Sequence, residues 1–100
     1  MALNTQLITH PGQGVIEILT TRMGATGKKA LEVIDFSAVG LVQGKLVDMI
    51  YAADIAEKTA DVHVFDLKGT CPQHLTMIGV FGEISAVKAS LDAIGADENL

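Results

Sequence analysis

Asp61-Val62-His63-Val64-Phe65-Asp66-Leu67 and His74-Leu75-Thr76-Met77-Ile78-Gly79-Val80-Phe81 decide the fold of this chain. Both runs are short, apolar and bounded by breakers, as strands are, and Lys68–Gln73 between them reads as a tight loop. Outside the pair the period changes. Leu46–Ala60 predicts a helix, with Met49, Ala53, Ala56 and Ala60 along one face and Asp54 one turn before Lys58. Glu83–Ile94 predicts another: Ile84, Val87, Leu91 and Ile94 share a face, Glu83 sits near the positive end, and Gly95 is the stop.

Toward the start of the chain, Leu3–Thr9 reads as a short strand ended by His10-Pro11-Gly12. Val15–Met23 reads as a helix closed by Gly24. Ala25–Lys29 reads as a loop, and Leu31–Val42 as strand, bent or divided near Asp35 and Ser37, with Gly40 a point of close packing. Gln43-Gly44-Lys45 punctuates, and the polar tail Ala96–Leu100 is expected to fray. The order is strand, helix, strand or strands, helix, strand, strand, helix. That is a single α+β domain over residues 1–100, a mostly antiparallel sheet flanked by helices in the ferredoxin-like manner.

Composition limits what such a domain does. Of 100 residues, 49% are hydrophobic, ten are glycine and 19% are charged, and mean hydropathy is +0.39. A domain this small buries only part of its surface, so some of that aliphatic excess is expected to lie between subunits. A net charge of −5 argues against a nucleic-acid partner. No apolar run reaches the ~20 residues of a membrane span, and no secretory signal opens the chain, so a cytoplasmic protein is expected. The single cysteine, Cys71, excludes an intrachain disulfide and any intrachain multi-cysteine metal site.

Chemistry concentrates in Gly69-Thr70-Cys71-Pro72-Gln73. Gly69 supplies backbone freedom and Pro72 stiffens the turn. Cys-Pro pairs occur where ferredoxin loops hold iron–sulfur clusters, although the dipeptide alone is weak and an inert thiol stays open. His74 completes a Cys-x-x-His spacing that admits zinc, but a strand start turns its imidazole from the loop. His63 and Asp66 fall on opposite faces of one strand, so they form no catalytic pair. His10 reads as a turn residue. Neither a nucleophile–base constellation nor a phosphate-cradling loop can be assembled, so an enzyme is not expected.

Three segments together resemble the bacterial microcompartment (BMC) shell-protein domain: Ala38-Val39-Gly40-Leu41-Val42, Tyr51–Val62 with its Ala-rich helix ending in Ala60-Asp61-Val62, and Val80–Ala89 with Gly82-Glu83 opening a helix. Leu7-Ile8-Thr9-His10-Pro11-Gly12, followed by a helix, resembles the strand and helix that end an ordinary shell domain. Here it comes first, as in the circularly permuted subfamily, although Ala25–Phe36 is longer than the expected join. The resemblance implies a cyclic homohexamer that assembles with other shell proteins into a microcompartment shell. It also implies that the Gly69–Gln73 loop lines the central pore. A Gly-x-Cys-Pro-Gln loop there resembles divergent shell proteins of glycyl-radical propanediol microcompartments. On that likeness Cys71 ligates an iron–sulfur cluster of 4Fe–4S type shared between subunits, and Gly69, Thr70, Pro72 and Gln73 shape its binding loop. The cluster would transfer electrons or close the pore. Two other readings stay open: a shell hexamer with an open metabolite pore, and a ferredoxin-like regulatory protein that binds a ligand as a dimer or trimer.

Overall fold

A computed structural model describes residues 3–69 and 75–100. Four strands and three helices follow the order β1 (Asn4–Thr9), α1 (Gln13–Glu32), β2 (Ala38–Lys45), α2 (Leu46–Thr59), β3 (His63–Leu67), β4 (Leu75–Gly82) and α3 (Ile84–Ala96). The strands form one antiparallel sheet in the order β1-β2-β4-β3. The expected α+β class therefore holds, with helices on both faces.

One face is covered by α2 and α3. Val42, Met49, Ala52, Ala56, Ile78, Val80 and Ile94 form its buried core. The alanines of α2 let α3 approach closely, and the buried Ser90 hydroxyl donates to the Ala56 carbonyl at 3.3 Å. Close approach also explains Gly40. A Cβ there would stand 3.0 Å from Leu91 and from Val87 on α3. On the other face α1 contributes Leu19, Met23 and Leu31 to a second core with Val39, Leu67 and Phe81. The Phe81 ring receives Phe36 and Phe65 edge-on, with centroids 5.2 and 5.5 Å away, the preferred arrangement for aromatic quadrupoles.

The N-terminal third departs from the sequence expectation. Ala25–Lys29 is helical rather than a loop, and Leu31 and Glu32 end α1 rather than begin a strand. Gly24 does break the helix, at φ +77° and ψ 176°, but the chain resumes helical geometry beyond it. The apolar residues of Leu31–Phe36 serve packing: Leu31, Ile34 and Phe36 join the second core, while Val33 is exposed. The strand starts only at Ala38 and runs through Gln43-Gly44-Lys45, which pairs with Leu75–Met77 of β4 instead of interrupting the chain.

The tail is also better held than its polarity suggests. The Tyr51 hydroxyl donates to Asp97 at 3.2 Å, Asn99 donates to Tyr51 and to Asp97, and Leu100 packs against the first core. The Asp54–Lys58 pair forms at 2.8 Å as its spacing predicts. His63 is exposed, and so is His10, in a turn at φ +49° with its N–H on the Ser37 carbonyl.

Candidate functional site

The segment singled out by sequence joins β3 to β4. Leu67 pairs with Met77 and Lys45 pairs with Leu75, so the junction leaves the sheet at the end where β2 stops and α2 begins. Of the five residues expected to form the site, Gly69 is described and exposed. Thr70, Cys71, Pro72 and Gln73 lie outside the described residues, as does His74.

The stem of the junction is fastened to α1. The Lys68 N–H donates to the Arg22 carbonyl at 2.9 Å, and the Arg22 guanidinium donates back through Nη1 to the Lys68 carbonyl at 3.4 Å. Arg22 is the only arginine of the chain. It stands two residues before Gly24, so the break in α1 and the exit from β3 meet at one place. Gly69 does not have the left-handed geometry that would require glycine. What it provides is space: a Cβ there would lie 3.1 Å from Arg22 Nη1.

Arg22, Gln43, Lys68, Gly69, Thr76 and Met77 border an open hollow of about 360 Å³ beside the stem. Arg22 and Lys68 bring two positive charges to it. The ion pair found among the described residues, Lys58–Asp54, lies on α2, so it neutralises neither. Sequence reasoning missed Arg22, which lies 46 residues from Lys68; its being the sole arginine was the one signal available.

Among the described residues, no group of three His, Cys, Asp or Glu side chains could hold a metal ion. With one cysteine per chain, a thiolate-bound cluster needs donors from several copies. Cys71 lies outside the described residues; the described stem brings Arg22 and Lys68 to the hollow, and cations there would favour an anionic group.

The family model of the BMC domain matches residues 38–98, from β2 past the end of α3. The chain belongs to the BMC-domain family. The GrpU microcompartment shell protein from Clostridiales bacterium 1_7_47FAA, solved ligand-free, is 30% identical over 97% of this chain and 93% of its own, with a TM-score of 0.71. The ligand-free GrpU shell protein from Pectobacterium wasabiae is 28% identical over 92% of this chain and 99% of its own, with a TM-score of 0.73. The trimeric shell protein PduB, 21% identical over 92% of this chain and 37% of its own, shares the fold at a TM-score of 0.57. No curated protein matches the chain in sequence.

This BMC-domain protein is a structural subunit of a bacterial microcompartment shell, not an enzyme, and it assembles with other shell proteins. Among the described residues no helix is long and apolar enough to cross a membrane. Membership of the shell-domain family sets aside the regulatory-domain alternative. The β1–α1 unit stands ahead of the span that matches the family model.

Proposed function

We propose that the chain is a circularly permuted shell subunit that forms a cyclic hexamer, with the β3–β4 junction lining its central pore. In that pore Cys71 thiolates from several subunits hold an iron–sulfur cluster, and Gly69, Thr70, Pro72 and Gln73 shape the loop around it. The observation that carries the reading is the fastened stem. A loop with the pattern Gly-x-Cys-Pro-Gln leaves the sheet between two ladder strands, tied to α1 at Lys68 by both its backbone groups. Further support comes from the flat protomer, 34 × 33 × 19 Å, and from the β1–α1 unit placed before the family-matched span.

Exposed apolar surface supports assembly. Leu46, Val47 and Ile50 on the first turns of α2 remain 60%, 71% and 65% exposed, and a neighbouring copy covers them in this reading.

A bound cluster supplies one-electron transfer. The protein's part is to bring thiolates to one axis, to keep them in a stiff loop, and to set cations at its base. A cubane takes about four thiolates, so six equivalent cysteines leave some free and the centre breaks the sixfold symmetry. The host compartment is assigned to the glycyl-radical propanediol type on the likeness of the loop.

The test is anaerobic purification and reconstitution, followed by absorbance, iron and sulfide assays, and EPR. Iron and sulfide held by the hexamer and lost in Cys71→Ser support the reading. A colourless, iron-free hexamer after reconstitution overturns the cluster and leaves a shell hexamer with an open metabolite pore. A stable dimer overturns the assembly itself.

A further inference from the structure

We infer that neighbouring copies of this chain meet head to tail, the acidic groove beside α2 of one copy receiving the basic Arg22–Lys68 flank of the next. This pairing rests on the cyclic assembly proposed above and is independent of any cluster.

The two surfaces lie on opposite faces of the same end of the sheet. On the α2 face, a groove of about 550 Å³ runs between α2 and the strands β3 and β4. Leu46 and Ile50, 60% and 65% exposed, form its apolar side, and Asp54, Glu57 and Asp66 border it with carboxylates. Among the described residues no lysine or arginine borders this groove. Lys58 is engaged by Asp54 at 2.8 Å, so Glu57 and Asp66 have no ion-pair partner among the described residues.

On the α1 face the sign reverses. The hollow beside the stem adjoins another of about 640 Å³, and Arg22, Lys68 and Gly69 border both. Ile18, 59% exposed, gives this second hollow an apolar side. Among the described residues no carboxylate borders either one, in a chain with twelve acidic residues. Thr76 borders both the acidic groove and the stem hollow, so the two surfaces are the flanks of one sheet end.

Each flank thus joins exposed aliphatic surface to charge of one sign. Burial of the aliphatic part supplies affinity, and complementary charge selects the partner and its orientation. A two-fold dimer sets the same patch against itself. Either flank against its own copy would bring like charges together, which costs affinity. Because the flanks lie on opposite faces of the sheet, one two-fold contact does not engage both. Acidic flank against basic flank removes the conflict, and a heterologous contact of this kind repeats from copy to copy until a ring closes.

The test uses the full chain without cluster, at fixed concentration, in the variants Asp66→Lys and Lys68→Glu. Both positions are exposed. Circular dichroism confirms folding and light scattering reads the assembled mass. Each variant alone sets like charges across every contact and is expected to weaken association at least about tenfold. An equimolar mixture of the two is expected to recover the wild-type mass, because chains alternating around an even-membered ring meet opposite charge at every contact. Glu57→Lys, on α2 rather than on an edge strand, is expected to act as Asp66→Lys does. Added salt is expected to weaken wild-type association and to strengthen that of each variant.

Folded variants that assemble as tightly as the wild type overturn the pairing. So does a mixture that fails to recover the wild-type mass, or salt that moves none of the proteins. A wild-type chain that stays monomeric or stops at a dimer overturns the assembly reading beneath it.

Discussion

Gly79→Ala tests how the second core is built. Gly79 lies in the middle of β4, buried, paired with Phe65 on one side and Leu41 on the other. A Cβ at this position would meet Phe81 Cε1 at 2.8 Å and Leu67 Cδ1 at 3.1 Å. The backbone angle there is not left-handed, so alanine is free to adopt it, and reduced freedom of the unfolded chain contributes about 0.5–1 kcal/mol in its favour. Against this, the Phe81 ring has little room to retreat, because Phe36 and Phe65 meet it edge-on. Overpacking a core by one methyl costs about 1–3 kcal/mol, and disturbing two edge-to-face contacts adds part of about 0.5–1.5 kcal/mol each.

The steric term therefore prevails, and a net destabilisation of about 1–3 kcal/mol is expected. For a domain of this size that lowers Tm by about 5–15 °C. Denaturant unfolding followed by circular dichroism checks it, at fixed protomer concentration because assembly contributes to apparent stability. The midpoint should fall with the slope unchanged. In a Phe81→Leu background the penalty of Gly79→Ala should shrink. A neutral or stabilising Gly79→Ala would refute the reasoning and show that the aromatic cluster yields freely.

Gly24→Ala isolates the opposite case, since a Cβ there meets nothing within 4 Å while φ is +77°; backbone strain alone should cost about 1–3 kcal/mol in the same denaturation assay. Val47→Lys, at a position 71% exposed on α2, should leave the circular dichroism spectrum unchanged and reduce the assembled fraction seen by light scattering; an unchanged assembly would place the contact elsewhere. Asp54 holds the Lys58 ammonium above its ordinary 10.5, mainly through their hydrogen bond and then through charge. A raised lysine pKa means that the pair's contribution is complete at neutral pH and is lost as pH climbs past 10.5 toward the folded value. Both residues are well exposed, so Asp54→Asn should be nearly silent at neutral pH. Comparison of denaturant midpoints at neutral pH and at high alkali checks this.

How much of this was legible in the sequence varies along the chain. From Leu46 onward the elements were readable because each period is clean, although α3 runs through the expected stop at Gly95 to Ala96 and α2 ends at Thr59 without a breaker. The N-terminal third misled for a physical reason. Gly24 is a genuine interruption, and its stop signal was sound; only the packing of Leu31 against Val39, Leu67 and Phe81 shows why the helix resumes. Leu31–Phe36 is apolar enough to read as strand, yet Leu31, Ile34 and Phe36 fill a core on one side of the sheet while Val33 is exposed, which a local pattern cannot reveal. The tail looked loose because its anchor, Tyr51, lies 46 residues away. The site showed the same division. The loop pattern is local and visible, while Arg22 enters only through the fold.

The register of β1 has a consequence for how the chain is made. Asn4 finds its partner only at Gln43 and Thr9 at Ala38, and α1 waits for Phe81 to complete the face it covers. Emerging from the ribosome at about 5–20 residues per second, this first segment spends several seconds with nothing to pair against. The polar outer residues Asn4, Thr5 and Gln6 keep that waiting edge from sticking to its neighbours. β1 therefore waits only for β2, whereas α1 waits longer, until β4 brings Phe81 to the face it covers.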